Sequence, residues 1–366
     1  MIDWLPVDDG GTAPLVGLRV LDLSELLPGP FMTQSLVELG ADVIKVERPP
    51  LGDPLRRASP ALFTAVNRGK RACRVDLKSE AGVAALLTLA EGADVMVESF
   101  RPGVLAKLGL DWPRLQQRNP RLVLASLSGY GPTGPRAQWP GHDLNYLATA
   151  GVVGMAMKDD GGSPSFGVPV ADLAGATYAL AAVQTALLHR VRSGVGQHLQ
   201  ISLTHCVAHW MNPRLAALHD VGGDVARARR AVQQRPAYGT FVCADGRSLT
   251  IAALEDHFWQ ALVRSLPLPP PFTGPAYAHY PGRAAAAPDI NAAIAQALRD
   301  EACRTALDRL TAADVPVADV AALDELAKAP ALAHGGLFVE TAAGPLMRFP
   351  VALCGVTAAH ACMPAP

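Results

Sequence analysis

An alternation limits what this chain can become: short runs of branched apolar residues are separated, again and again, by stretches with helical periodicity. Residues 18–23 (LRVLDL) read as a buried strand, and a helical pattern over 31–39 stops at Gly40. Residues 41–47 (ADVIKVE) and 74–77 (RVDL) read as the next two strands, and Ser79 stands where an N-cap belongs, ahead of an alanine-rich helix. Residues 94–97 and 122–126 continue the series, followed by a long aliphatic helix over 168–192 and a strand over 197–203. Strands that alternate with helices must be parallel, because each crossover returns the chain to the same edge. The expected fold class is therefore α/β, with a Rossmann-like large domain built on a parallel sheet.

At 366 residues the chain is too long for one simple core. Its character changes near Gly222: residues 225–234 (VARARRAVQQ) are basic and polar, and 266–288 are rich in proline. Between them, 238–253 has the form of a hairpin turning at Ala244-Asp245-Gly246-Arg247. The expected division is a large domain over 1–205, a linker over 206–234 and a smaller α+β domain over 235–315. Residues 316–366 then form a linker and a return to the large domain, with a turn at Ala343-Gly344-Pro345.

Charge narrows the partners. The 32 basic and 33 acidic residues nearly cancel, so no broad field draws in nucleic acid or an acidic membrane surface. An anionic ligand must be held by local groups. The six cysteines (Cys73, Cys206, Cys243, Cys303, Cys354 and Cys362) form no CxxC pair, which fits reduced thiols and no metal site. The N-terminus has no basic, apolar leader, and each apolar run is expected to break before the ~20 residues of a membrane span. A cytoplasmic protein with no membrane partner is the expectation.

In such a sheet, ligands bind beyond the carboxyl ends of the strands. The first strand–loop–helix unit has neither GxGxxG nor a Walker A lysine loop, which disfavours a dinucleotide or nucleoside triphosphate. Basic residues do recur after the strands: Lys45, Arg48, Arg68, Lys70, Arg71 and Arg101. They fit a polyphosphate ligand, and equally ordinary surface charges. His142, after a Gly/Pro-rich loop, suits a proton carrier titrating near neutrality, or a helix cap. Asp172 lies among apolar residues (VPVADLAG), where a carboxyl can have a raised pKa and act as base or nucleophile; an N-cap role fits as well. Glu255 opens a helix after the hairpin, where an acidic residue commonly answers the helix dipole.

Taken together, GADVIKVERP (40–49), NRGKRACRVDLK (67–78), ESFRPG (98–103), SLSGYGPTG (126–134), GHDLNYL (141–147), VADLAG (170–175) and ADGRSLTIAALE (244–255) resemble the family III CoA transferases of the CaiB/BaiF type. Within them the motifs are most similar to the α-methylacyl-CoA racemases. The resemblance implies an acyl-CoA substrate, with no permanently bound cofactor because coenzyme A arrives as part of the substrate. It also implies an interlocked homodimer whose active sites lie between the large domain of one subunit and the small domain of the other. By position, Arg48, Val75, Asp76, Leu77, Lys78, Gly141, His142, Asp143, Leu144, Asn145 and Tyr146 match CoA contacts, and Arg101 a structural or pyrophosphate contact. The shared catalytic aspartate falls on Asp172, the racemase histidine on His142 and its glutamate partner on Glu255.

Two chemistries follow from that resemblance. Epimerising a 2-methylacyl-CoA needs two bases flanking the α-carbon, which His142 (with Glu255) and Asp172 supply. CoA transfer needs one carboxylate nucleophile, Asp172, passing through an aspartyl-CoA thioester. GHDLNYL and the ALE stretch favour the racemase, and the glycine run of formyl-CoA transferases is missing between 220 and 240. A non-catalytic acyl-CoA binder is the third alternative, although binding alone does not call for three acid–base residues.

Overall fold

The computed structural model describes residues 2–4, 13–157, 162, 164–333 and 336–351. The chain divides into two compact units, Met1–Pro213 with Ala333–Pro366, and Arg214–Leu332.

The first unit is built on a six-stranded parallel sheet. Its strands are β1 (Arg19–Asp22), β2 (Asp42–Glu47), β3 (Arg71–Arg74), β4 (Val95–Glu98), β5 (Val123–Ser128) and β6 (His198–Ser202), in the order β3-β2-β1-β4-β5-β6. The alternation of the pleat sorts the apolar residues to two faces. Val20, Val43, Val95 and Val123 meet one layer, formed by the first helix, Pro28–Glu38 (Met32, Leu36), and the long helix, Val170–Ser193 (Ala176, Ala179, Val183, Ala186). Their neighbours Leu21, Ile44, Met96 and Leu124 face the other way, onto Leu86, Leu87 and Ala90 of the helix Glu80–Glu91 and onto Leu115. Both faces are covered, which is why these strands read as continuous apolar runs rather than as alternating ones.

Local signals act where expected. Gly40 ends the first helix at φ +104°, and Ser79 caps the next by accepting a hydrogen bond from the Gly82 N–H at 3.0 Å. Two expectations need correcting. The third strand is Arg71–Arg74 and not 74–77: it pairs with β2 from Ile44 to Glu47 and ends opposite the last residue of that strand. Val75, Asp76, Leu77 and Lys78 therefore form the loop leaving the strand end. The long helix, by length and composition, is apolar enough to cross a membrane, contrary to the expectation that every apolar run is broken. One face of it, with Ala176, Ala179, Val183 and Ala186, lies in the core against the sheet and needs apolar residues there.

Order β3-β2-β1-β4 places the change of winding direction between β1 and β4, where connections leave to opposite sides and open a crevice at the carboxyl ends. At that point the Glu25 N–H donates to Ser99 Oγ at 3.1 Å, tying the loop after β1 to the loop after β4.

The remaining strands are short. β7 (Tyr238–Val242), β8 (Ser248–Ala252) and β9 (Val317–Asp319) form an antiparallel sheet in the second unit. The expected turn joins β7 to β8, with the Cys243 N–H donating to the Arg247 carbonyl at 2.9 Å. Phe241, Leu249, Trp259, Leu262, Ile290 and Ile294 fill that unit's core. β10 (Phe338–Thr341) and β11 (Gly344–Met347) form a hairpin belonging to the first unit, where the Met347 carbonyl accepts from Arg68 Nη2 at 2.9 Å. Cys354 and Cys362 lie outside the described residues, and the other four cysteines are free thiols.

Candidate active site at the carboxyl ends of the strands

Asp172 is the third residue of the long helix and is half-buried. It is not the N-cap, a position held by Pro169. Asp143 does the capping from another element: its Oδ1 accepts from the Ala171 N–H (2.6 Å) and the Asp172 N–H (3.1 Å), donors that the helix itself cannot satisfy. Asp172 is thus freed from a capping role and placed beside a second carboxylate. Burial, and then the charge of Asp143, push its carboxyl up to about 6, against the opposing pull of His142.

His142 is the exposed N-cap residue of the short helix Asp143–Thr149, and its N–H donates to Asn145 Oδ1 at 3.0 Å. The helix-cap expectation for this residue holds, and its imidazole is near enough to act on the charge of Asp172. Tyr146, one turn on, donates its hydroxyl to the Gly141 carbonyl at 2.6 Å and packs edge-on against Tyr130 at 5.1 Å. Burial, with Asp172 next, pushes the Tyr146 phenol up to about 12, so it stays a donor at physiological pH. The ring approaches so closely that a Cβ on Gly129 would lie 2.4 Å from it, and one on Gly141 2.7 Å. Only glycine fits at either place. Thr204 secures the β5 loop, its hydroxyl donating to the Gly129 carbonyl at 2.7 Å.

The strand-end cations divide into two kinds, a distinction that neither of the two expectations for them drew. Lys45 and Lys70 are buried. Lys45 Nζ lies 3.0 Å from Asp53 and donates to the Ser24 carbonyl at 2.8 Å, while Lys70 meets Asp22 (2.9 Å), Thr33 (2.7 Å) and Asn67 (2.9 Å). Arg68 pairs with Glu38 and Arg71 with Asp42. The two lysines hold the fold together, because an ammonium this deep persists only with a counter-charge, and the partly exposed Arg68 and Arg71 are committed to their partners. Arg48 and Arg101 remain exposed, Arg48 beside Glu25 at 3.1 Å. Arg101 rides on a loop fixed by Glu98, whose Oε2 accepts from the Phe100 N–H at 2.7 Å, and by Gln138, which donates to the Pro102 carbonyl at 3.0 Å.

A cavity of about 610 Å³ opens beside Leu77 and Lys78 and is also lined by Val83, Lys107, Arg114 and Arg118. Those last three cations escaped the sequence reading. They sit on short helices rather than just after strands, so no strand-end signal marks them. Asp143 had been noticed only as a ligand contact. Its 29-residue separation from Asp172 has no periodicity that could announce the pairing.

Glu255 belongs to the second unit. It is exposed and takes the N-cap position of the helix Asp256–Ser265, with its side chain making no capping bond. The acidic residue of that first turn is Asp256, which pairs with Arg283 (2.8 Å) and His279 (2.8 Å).

Fold and site define a Rossmann-like α/β protein with a desolvated carboxylate, flanked by a second carboxylate and a histidine, at the strand-end face. The sequence matches CoA-transferase family III over residues 15–364. It is 32% identical over 355 residues to the acetyl-CoA:oxalate CoA-transferase of Acetobacter aceti, covering 95% of this chain and 91% of that one. It is 35% identical over 261 residues to the alpha-methylacyl-CoA racemase of Homo sapiens, covering 69% and 65%. The crystal structure of a CAIB/BAIF family protein from Brucella suis superposes with a TM-score of 0.83 at 28% identity, covering 95% of each chain. The chain belongs to CoA-transferase family III.

Proposed function

We propose that this protein moves CoA between carboxylic acids, with Asp172 as the nucleophile. The observation that carries the proposal is the half-buried Asp172 carboxyl, raised to about 6 by its surroundings. At neutral pH it is ionised yet poorly solvated, and so keeps more of its intrinsic nucleophilicity. Likeness along almost the whole chain to a CoA-transferase supports the same choice.

The Asp172 carboxylate adds to the thioester carbonyl and CoA thiolate departs, leaving a mixed anhydride. The thiolate then attacks the aspartyl carbonyl, which releases the donor acid and leaves an aspartyl-CoA thioester. An acceptor carboxylate repeats the sequence in reverse: it displaces the thiolate to form a second anhydride, and the thiolate takes the acceptor's acyl group and frees Asp172. In this scheme CoA lies along the strand ends, contacted by Arg48, Val75, Asp76, Leu77, Lys78, Arg101 and the stretch from Gly141 to Tyr146. The protein works as a homodimer and holds no permanent cofactor.

The test is to mix the protein with an acyl-CoA in the absence of acceptor, quench in acid and map the peptides by mass spectrometry. A CoA adduct on the Asp172 peptide is expected, and none in Asp172→Asn. Steady transfer without any adduct in the wild type refutes the scheme.

Racemisation is the second reading, favoured by one observation: His142 lies close enough to offset the charge on Asp172. Two candidate bases then flank one site. In deuterated buffer, a 2-methylacyl-CoA takes up α-deuterium and loses configuration under this reading. His142→Ala stops that exchange while sparing transfer.

A further inference from the structure

We infer that Glu25 couples coenzyme A binding to the uptake of one proton: the Arg48 guanidinium it holds in the free protein is the one a CoA phosphate engages, and Glu25 is neutralised as that happens. The inference deepens the proposed function and rests on its placement of CoA phosphates at Arg48; it does not depend on which reaction follows.

Glu25 stands in the loop after β1, at the crevice where the winding reverses, and its backbone is fixed by the Glu25 N–H bond to Ser99 Oγ at 3.1 Å. The next residue, Leu26, is held at φ +65°, a left-handed conformation that costs a non-glycine residue and tends to persist where a loop serves a site. Arg48 extends from the end of β2 with its side chain 65% exposed, and its Nε meets Glu25 Oε1 at 3.1 Å.

The groups facing Glu25 are Arg48, Lys45, Glu47 and Asp53, with Ser99 from the β4 loop. Lys45 is already engaged by Asp53 and the Ser24 carbonyl, and Glu47 by both of its oxygens with Arg56 Nε at 3.0 Å. Among the described residues, Arg48 is thus the one cation facing Glu25 that is open to solvent and able to change partners. Burial, assisted by Asp53 and Glu47, already pushes the Glu25 carboxyl up against Arg48 and Lys45. A phosphate that takes Arg48 removes the main support for the carboxylate and brings further negative charge beside it. A solvent proton then adds to one carboxylate oxygen; no other bond changes. The linkage sign follows: bound CoA raises the carboxyl's pKa further, so affinity falls as pH rises between the free and bound values.

The experiment is calorimetric titration of free coenzyme A into the full chain, in two buffers of different ionisation enthalpy, repeated at several pH values between about 5 and 7.5. Wild type, Glu25→Gln and Arg48→Ala are compared, each first checked for an unchanged melting curve. CoA's own phosphate titration is common to all three. The wild type should take up a fraction of a proton more than Glu25→Gln. At about pH 7.5 Glu25→Gln should bind CoA roughly 3–10-fold more tightly than wild type, the gap closing toward about pH 5. Equal proton uptake in wild type and Glu25→Gln overturns the inference. If Arg48→Ala binds as tightly as wild type, the placement of CoA itself is wrong. If Arg48→Ala binds poorly while the proton count is unmoved by Glu25→Gln, the placement stands and the role of Glu25 fails.

Discussion

Asp172 is costly to the fold in the state its proposed chemistry uses. Its folded-state pKa of about 6 lies above the ordinary 3.8, so its contribution to stability is fully present below 3.8 and is lost as pH rises through 6. Asp172→Asn should therefore melt higher than wild type at about pH 7.5, by the equivalent of roughly 1–3 kcal/mol, and the difference should vanish near pH 4. Differential scanning calorimetry at the two pH values checks this. Turnover should fall about tenfold per pH unit below pH 6 as the nucleophile becomes protonated. In Asp143→Asn the neighbouring charge is gone while an amide oxygen can still cap the helix, so the acidic limb of that profile should move to lower pH. A limb that stays in place means that Asp143 does not tune Asp172.

Packing between elements decides which glycines and which charges the strand ends tolerate. Gly129 lets the Tyr146 ring lie against the β5 loop, and Gly129→Ala would put a methyl 2.4 Å from ring carbon. The ring and its bond to the Gly141 carbonyl must shift together. We expect a loss of about 1–3 kcal/mol in urea denaturation and a larger fall in kcat than in KM. Beneath the same face, Asp22 joins β1 to the first helix through Thr33 (2.7 Å) and to Lys70 (2.9 Å). Burial works against the Asp22 charge, but Lys70, Lys45 and the Ser24 and Thr33 hydroxyls hold its carboxyl well below the usual range. Lys70 is itself pushed by burial down to about 8, against the pull of Asp22. A depressed carboxyl stabilises above its unfolded pKa and loses that contribution in acid. Asp22→Asn should thus cost about 3–5 kcal/mol at neutral pH, because the buried Lys70 ammonium loses its carboxylate partner while Lys45 keeps Asp53, and progressively less as pH falls below about 3. Equal destabilisation at both pH values would falsify this account of the network.

At the scale of the whole molecule, the homodimer that the resemblance implies can be tested by mixing variants. If each site combines the large domain of one subunit with the small domain of its partner, Asp172→Ala and Glu255→Ala damage different halves of the same site. Unfolding the two inactive variants together and refolding them should then restore about a quarter of the sites, since half of the dimers are mixed and each mixed dimer carries one intact site. The readout is α-deuterium exchange on a 2-methylacyl-CoA, the reaction for which Glu255 was expected. Where the wild type exchanges, no recovery from a mixture that does form mixed dimers excludes the shared site.

How far this molecule can be read without coordinates depends on how local each determinant is. The parallel sheet was legible because pleat and helix periodicities are written in consecutive residues: Val20 and Leu21, or Val123 and Leu124, need only their neighbours to declare two buried faces. Motif order made the family legible. Tertiary structure alone decided which strand-end cations remain open. Lys45 and Lys70 look like Arg48 in sequence, and only the approach of Asp22 and Asp53 turns them inward. It alone also set Asp143 against the start of the long helix, relieving Asp172 of the capping role the sequence allowed it. Periodicity travels along the chain, whereas the desolvation and charge that make a carboxylate reactive come from groups brought near by folding.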